Sequence, residues 1–480
     1  MLCPALGLDV MTAISYAVVK RNGNGGEKMR KLLLAICLVA VVAVVAAPAF
    51  ASVQNIKISG SINSTYLFRN KFDFGYTVGA NDETNQQALF ITQTTLRADA
   101  DLTDNISATV ALINEREWGK EHLSSNTDVK LHLAYVTIRE MLYSPLTLIV
   151  GRQSFSYGNS LIFSTSGAST ADSDIESYAS DLASASMDAI RAILDYDPLT
   201  VEVMFAVDDQ NTADADTQSD NVYVWGLNAT YDIGDKMDSI VEAYLFAKKD
   251  KETQYTTGEK TDYIKVVGLR GSTNPIEGLN LQLEWAHQSG TKAIANNNKK
   301  RDANALQLMA NYQLPVLQDY NPVVSYSFTR LSGDNNYTNG AWGNEEDYGA
   351  WDPFYEDQGG GTIYNTLFDA TDCVMHSASI AVNPIEDVTT TLTYTNLWLD
   401  KPILNANDLD LNQPDGSNVN NIGIAGKRGL GQEVDFQVSY DYTEDVQFGL
   451  NLGWFWPGNA VNKAYRDVAK QALLNVLVNF

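Results

Sequence analysis

Gln471 to Phe480 reads QALLNVLVNF. Ala472, Leu474, Val476, Val478 and Phe480 fall on one face of an extended chain, and Gln471, Leu473, Asn475, Leu477 and Asn479 on the other. A period of two with one apolar face is the pattern of a half-buried strand. A soluble sheet rarely finishes on a long strand with a terminal aromatic ring. A sheet that closes on itself and turns one face to lipid can do so, because its last strand pairs with its first.

The upstream sequence repeats the pattern. Eighteen strands are predicted, over 54–68, 88–102, 105–117, 128–139, 146–153, 188–197, 199–208, 222–233, 239–248, 263–271, 279–288, 303–314, 321–331, 373–383, 388–399, 433–442, 446–456 and 471–480. Val434, Phe436, Val438, Tyr440 and Tyr442 oppose Glu433, Asp435, Gln437, Ser439 and Asp441. Leu306, Leu308, Ala310 and Tyr312 oppose Ala305, Gln307, Met309 and Asn311. Connections alternate between short turns such as Thr103-Asp104 and Pro384 to Asp387, and long segments such as 154–187, 332–372 and 400–432. Up-and-down strands with short periplasmic turns and long outer loops give this alternation. The fold class read from it is all-β: a transmembrane antiparallel up-and-down barrel of about 18 strands, with both termini on the periplasmic side. The second face of each strand is polar or small, which predicts a wet interior. Trp118, Tyr143, Tyr157, Trp454 and Trp456 stand at strand ends, where aromatic girdles form.

The amino terminus reads as an export signal. Met29-Arg30-Lys31 supplies positive charge, Leu32 to Ala47 an apolar run, and Ala49-Phe50-Ala51 a small-x-small exit. Residues 1–28 are read as a mis-called start, 29–51 as a signal peptide and 52–480 as one barrel domain in the outer membrane of a Gram-negative bacterium. A membrane helix over the apolar run is the alternative.

The whole sequence carries a net charge of −26. Residues 1–51 hold five basic and two acidic side chains, which leaves 28 basic and 57 acidic residues, a net −29. That balance argues against nucleic acid as a partner, since phosphate contact needs a positive surface. Cys373 is the one cysteine after residue 51, so no disulfide forms within the exported chain. The four histidines lie far apart, and no nucleophile-elbow, zinc-protease or phosphate-loop motif occurs. No catalytic residue, metal ligand or cofactor is predicted. Acids cluster in 154–187 and 332–372 without an EF-hand spacing; solvated acidic loops are the preferred reading over a Ca²⁺ site. Both segments are long enough to fold inward as a constriction. Ala460 to Gln471 is read as a short helix at the mouth.

Three stretches resemble the alginate-export family of outer-membrane barrels. They are Val150-Gly151-Arg152-Gln153 with Tyr157-Gly158; Trp351-Asp352-Pro353-Phe354-Tyr355 followed by Asn365 to Asp369; and Gly431 to Phe436 running into Trp454-Phe455-Trp456-Pro457-Gly458. The resemblance implies an 18-stranded channel that passes an anionic polysaccharide such as alginate, or another hydrophilic solute. It also implies a pore role for Arg152, although alternation with Leu148 and Val150 points that side chain outward.

The inward face supplies the other pore-lining residues. Arg97 is expected with Asp99 and Asp101, Arg191 with Asp195, and Lys265 as a further inward base; Glu284, Glu433 and Asp435 are inward acids. Arg270 and Arg330 read as snorkelling anchors near strand ends. Acidic rings favour cations and basic rings anions. The excess of inward acids therefore leaves a general porin with weak cation preference as a second reading. A barrel that sheathes a periplasmic partner is a third. Expected partners are outer-membrane lipid, a hydrophilic or polyanionic solute, and the barrel assembly machinery, engaged through the Phe480 strand.

Overall fold

The computed structural model describes residues 55–76, 86–120, 128–143, 145–165, 184–209, 222–250, 261–293, 298–334, 337–338, 341–342, 347–404, 409–412 and 418–480. The leader expected over residues 1–51 lies outside them.

Eighteen long strands form the wall. They are β1 (Asn55–Asn70), β2 (Gln86–Thr103), β3 (Ile106–Glu117), β4 (Lys130–Ile138), β5 (Leu146–Gln153), β6 (Met187–Asp195), β7 (Leu199–Asp209), β8 (Val222–Asp232) and β9 (Ile240–Asp250). They continue as β10 (Asp262–Ile276), β11 (Leu279–Lys292), β12 (Lys299–Gln313), β13 (Val323–Leu331), β14 (Cys373–Ile385), β15 (Val388–Leu399), β16 (Gly429–Thr443), β17 (Val446–Pro457) and β18 (Ala469–Asn479). Each pairs antiparallel with its neighbours in sequence. The sheet closes where β1 pairs with β18, from Ser61 opposite Asn479 to Asn70 opposite Lys470. Closure leaves no edge with unpaired backbone groups, which a wall in contact with lipid requires.

The terminal strand makes the seam. Phe480 exchanges two backbone hydrogen bonds with Gly60, at 2.8 and 3.0 Å. A Cβ on Gly60 would come within 2.6 Å of the Phe480 ring and 2.7 Å of the Thr95 carbonyl oxygen, so glycine makes room at the seam. Leu474, Val476 and Phe480 point outward and are exposed. Gln471 points inward, buried, and accepts a 2.8 Å hydrogen bond from Arg69 Nε.

Outside, alternation gives an apolar coat that includes Leu96, Val203, Leu245, Leu283 and Leu308. Among the described residues no helix is long and apolar enough to cross a membrane; the strands carry the span. Trp118, Tyr143 and Trp456 are exposed, as a girdle requires, whereas Tyr157 is buried inside the barrel. The helix expected over 460–471 does not form. Val461 instead bridges to Gly423, and β18 begins at Ala469.

The interior has two halves. Toward the short turns it is polar, lined by Asn63, Thr95, Asn280, Gln437, Asn451 and Asn475. Toward the long connections it is filled. Segments 71–76, 153–165 and 349–370 turn inward, and their side chains Phe74, Phe163, Trp351, Phe354, Tyr355, Tyr364 and Leu367 are almost wholly buried against Phe246, Val266, Met375 and Phe455 of the wall. A wet interior throughout is therefore corrected to a wet half and a packed half. Each large apolar side chain so buried contributes on the order of 1.5–3 kcal/mol, which holds the segments in place.

Candidate functional site

Two of the inward segments, 153–165 and 349–370, join first to each other. Ser164 N–H donates to Tyr355 O (2.7 Å), Tyr355 N–H to Ile162 O (3.0 Å) and Asp357 N–H to Ser160 O (2.9 Å), a short parallel bridge in mid-barrel. Phe163 packs on Tyr355 and Phe354 at ring separations of 5.0 and 5.9 Å. The inward turn expected of segments 154–187 and 332–372 is thus present in their described parts.

Polar side chains of the wall then hold them. Tyr157 Oη donates to Glu202, which also receives two bonds from Arg191, at 2.5 and 3.0 Å. Arg270 donates to Glu242 (3.1 Å), Gln282 (3.0 Å) and Asn159 Oδ1 of the first segment (3.1 Å). Glu284 is buried and accepts from Tyr244 Oη at 2.6 Å. On the second segment, Gln288 exchanges two bonds with the Asp352 backbone, at 2.7 and 2.9 Å. Arg301 bridges Asp262 (2.6 Å) and Asp352 (2.8 Å). Burial works against the Asp352 carboxylate, but Arg301 and Lys292 hold it below the usual range.

Across the lumen, Glu433 is fully buried. One of its oxygens accepts from Ile363 N–H at 2.7 Å and the other from Tyr364 N–H at 2.9 Å, while Thr362 Oγ1 donates to Asp435 at 2.6 Å. Gly361 has φ +148°, and a Cβ there would meet the Glu433 carboxyl carbon at 2.3 Å. Glycine at this position lets the backbone approach the wall closely enough for both carboxylate oxygens to be used.

Most of the expected pore-lining residues do face inward. Arg97 forms a fork with Asp99 (2.8 and 2.9 Å), and Asp99 also accepts from Thr109 Oγ1 at 2.6 Å. Asp101 follows on the same face near the turn. Asp195 faces inward too, but accepts from Thr200 at 3.2 Å instead of pairing with Arg191. Four residues along one strand is too far for a salt bridge, so Arg191 takes its diagonal cross-strand neighbour Glu202.

Two bases correct their expected roles and a third is misplaced. Arg152 shares its face with exposed Val150, points outward and meets Asp188 at 3.4 Å. Lys265 also faces outward, since its neighbours Ile264 and Val266 are the buried ones. Arg270, read as an anchor, is an inward side chain of the constriction. Arg330 keeps an outward position at the rim, paired with Asp400 at 2.7 Å. Sequence reading missed Arg301, because the strand expected over 303–314 begins at Lys299, and it placed Gln307 opposite Leu306 and Leu308 without giving it a role. Among the described residues no three His, Cys, Asp or Glu side chains are grouped to hold a metal ion.

A closed barrel with a hydrated half, narrowed by inward segments seated on paired charges, is the architecture of an outer-membrane channel. The family model described as alginate export matches residues 54–475, and the chain belongs to that family. No protein of curated function matches it. Solved structures share the fold. OccK3 (OpdO) of Pseudomonas aeruginosa has a TM-score of 0.54 at 12% identity, covering 90% of this chain and 97% of that one. OpdQ of the same organism has a TM-score of 0.54 at 13% identity, covering 89% and 98%. OccK2 (OpdF) in complex with glucuronate has a TM-score of 0.53 at 10% identity, covering 89% and 99%.

Proposed function

We propose that this chain is a passive outer-membrane channel for hydrophilic, charged solutes, and that the inward segments set its narrowest section. The carrying observation is the set of paired charges on the inner face of the wall. Arg191 and Arg270 each face a carboxylate in mid-strand, and Arg301 faces two more near the start of β12. Facing rows of opposite charge orient water and reject apolar solutes. They also offer a charged solute a partner of either sign. The family description and the glucuronate bound to a structural neighbour both favour a carboxylated sugar, so an anionic polysaccharide such as alginate is the first cargo to test.

A second reading, a general porin with weak cation preference, draws on Glu433 and Asp435. These acids accept hydrogen bonds from backbone and hydroxyl groups of the inward segment rather than from a base.

The reversal potential across a planar bilayer in a salt gradient separates the two. An anion-selective sign that weakens in Arg97→Ala or Arg191→Ala supports polyanion passage. A cation-selective sign that vanishes when Glu433 and Asp435 are neutralised supports the second reading. A purified protein that never conducts contradicts both, and leaves the sheath around a periplasmic partner.

A further inference from the structure

Where the two inward segments meet the wall they enclose a cavity of about 30 Å³. Leu161 comes to it from the first segment, Glu356 and Gln358 from the second, and Gln307, Ser327 and Thr329 from β12 and β13. The amide donors around it are already used. Gln307 Nε2 donates to Thr329 Oγ1 (3.0 Å) and to Gln358 Oε1 (2.5 Å), and Gln358 Nε2 donates to the Asn159 carbonyl. Acceptors are left over: Gln307 Oε1 and Glu356 Oε2 are both buried with no hydrogen-bond partner.

A buried acceptor without a donor costs about 1–3 kcal/mol, and a carboxylate costs more. The cavity therefore calls for an occupant that brings protons or positive charge. Its volume suits one occupant about the size of a water molecule. A calcium site would gather six to eight oxygens, usually with several carboxylates. Here one carboxylate stands among neutral oxygens, so a single positive charge balances it.

We propose that this cavity binds one compact monovalent cation, of the size of potassium or ammonium, between the Glu356 carboxylate and the Gln307 carbonyl oxygen, with the Ser327 and Thr329 hydroxyls completing its shell. Glu356 belongs to the inward segment and Gln307 to the wall, so the cation ties the constriction to the barrel. Burial pushes Glu356 up to about 7, with Asp369 and Asp352 adding to it and its own backbone N–H and Lys248 opposing it. The proton is thus the competing occupant. The site stands whichever solute the channel passes.

The test needs no conductance. Crystals of the detergent-purified exported chain are grown at pH 8 in rubidium chloride, and the anomalous signal of rubidium is mapped. A rubidium peak in the cavity, absent from Glu356→Gln crystals, is the expected result. In solution, the rubidium concentration that half-saturates the rise in melting temperature should increase at least about tenfold in Glu356→Gln. Gln307→Leu provides a second variant with the same expectation. Water alone in the wild-type cavity, or a rubidium peak that persists without the carboxylate, overturns the proposal.

Discussion

The half of the barrel nearest the short turns and the half nearest the long connections are made from the same eighteen strands, yet their interiors follow opposite rules. In the first, the inner face is polar, and residues such as Gln437, Asn451 and Asn475 alternate with an apolar outer coat. In the second, the inward positions meet folded chain. Ile264, Val266, Ala286, Ala303 and Ala305 are buried, and strands there are apolar on both faces. Membrane and packed core each demand apolar surface, so alternation marks a strand's inner side only where that side is wet.

The sharpest way to break this comparison is a charge on the coat. Leu283 is 50% exposed on the outer face, and Leu283→Arg should destabilise the folded barrel by about 2–4 kcal/mol if it lies near mid-membrane. Gln437→Arg, on the wet inner face, should cost no more than about 0.5 kcal/mol. Urea titration of both variants folded into lipid vesicles measures the contrast. Equal losses would mean that the two faces do not see different solvents.

Next in size is the seat of the second segment. Glu433→Ala leaves the Ile363 and Tyr364 N–H groups without acceptors, at about 1–3 kcal/mol each. Gly361→Ala should have the same phenotype through the clash at its Cβ. Both variants should keep the barrel's melting temperature while proteases cut within 355–368 and conductance increases.

A smaller effect concerns pH. Burial pushes Glu356 and Asp372 up to about 7, from ordinary values of 4.5 and 3.8. Between those limits the docked state holds protons that an undocked segment has released. Its stability is therefore greatest at low pH, falls as pH rises toward about 7, and changes little above that. Hydrogen exchange of amides 351–370 should quicken across this window beyond the chemical rise in rate. Glu356→Gln and Asp372→Asn should flatten the dependence.

The smallest effect is expected at Arg152. It points outward and pairs with an exposed Asp188, so Arg152→Ala should change stability by no more than about 0.5 kcal/mol and leave ion selectivity unaltered. A changed reversal potential would place it in the lumen after all.

The wall was legible because its period is short and repeated. The strand expected over 373–383 runs Cys373–Ile385, and that over 433–442 runs Gly429–Thr443. The errors have physical causes. The strand expected over 263–271 extends to Ile276, so Arg270 is a mid-strand lumen residue and not an anchor at a strand end. In Ile264-Lys265-Val266-Val267 both faces are apolar, because the inner one packs on the inward segments, and alternation could not orient Lys265. Those segments have no periodicity to read. Their length and aromatic density around Phe155, Tyr157, Phe163, Trp351, Phe354 and Tyr355 were the available signal, but the contacts with Glu202, Arg270 and Glu433 depend on strand positions that only the closed barrel brings together.

Single-channel recording gives the most direct test of a hydrated barrel narrowed by its own loops. The wild-type chain is compared with a variant in which 354–368 is replaced by a short Gly-Ser linker. Discrete ohmic steps in the wild type and severalfold larger steps in the variant are the predicted result; steps of equal size in the two proteins, or none in either, would contradict it.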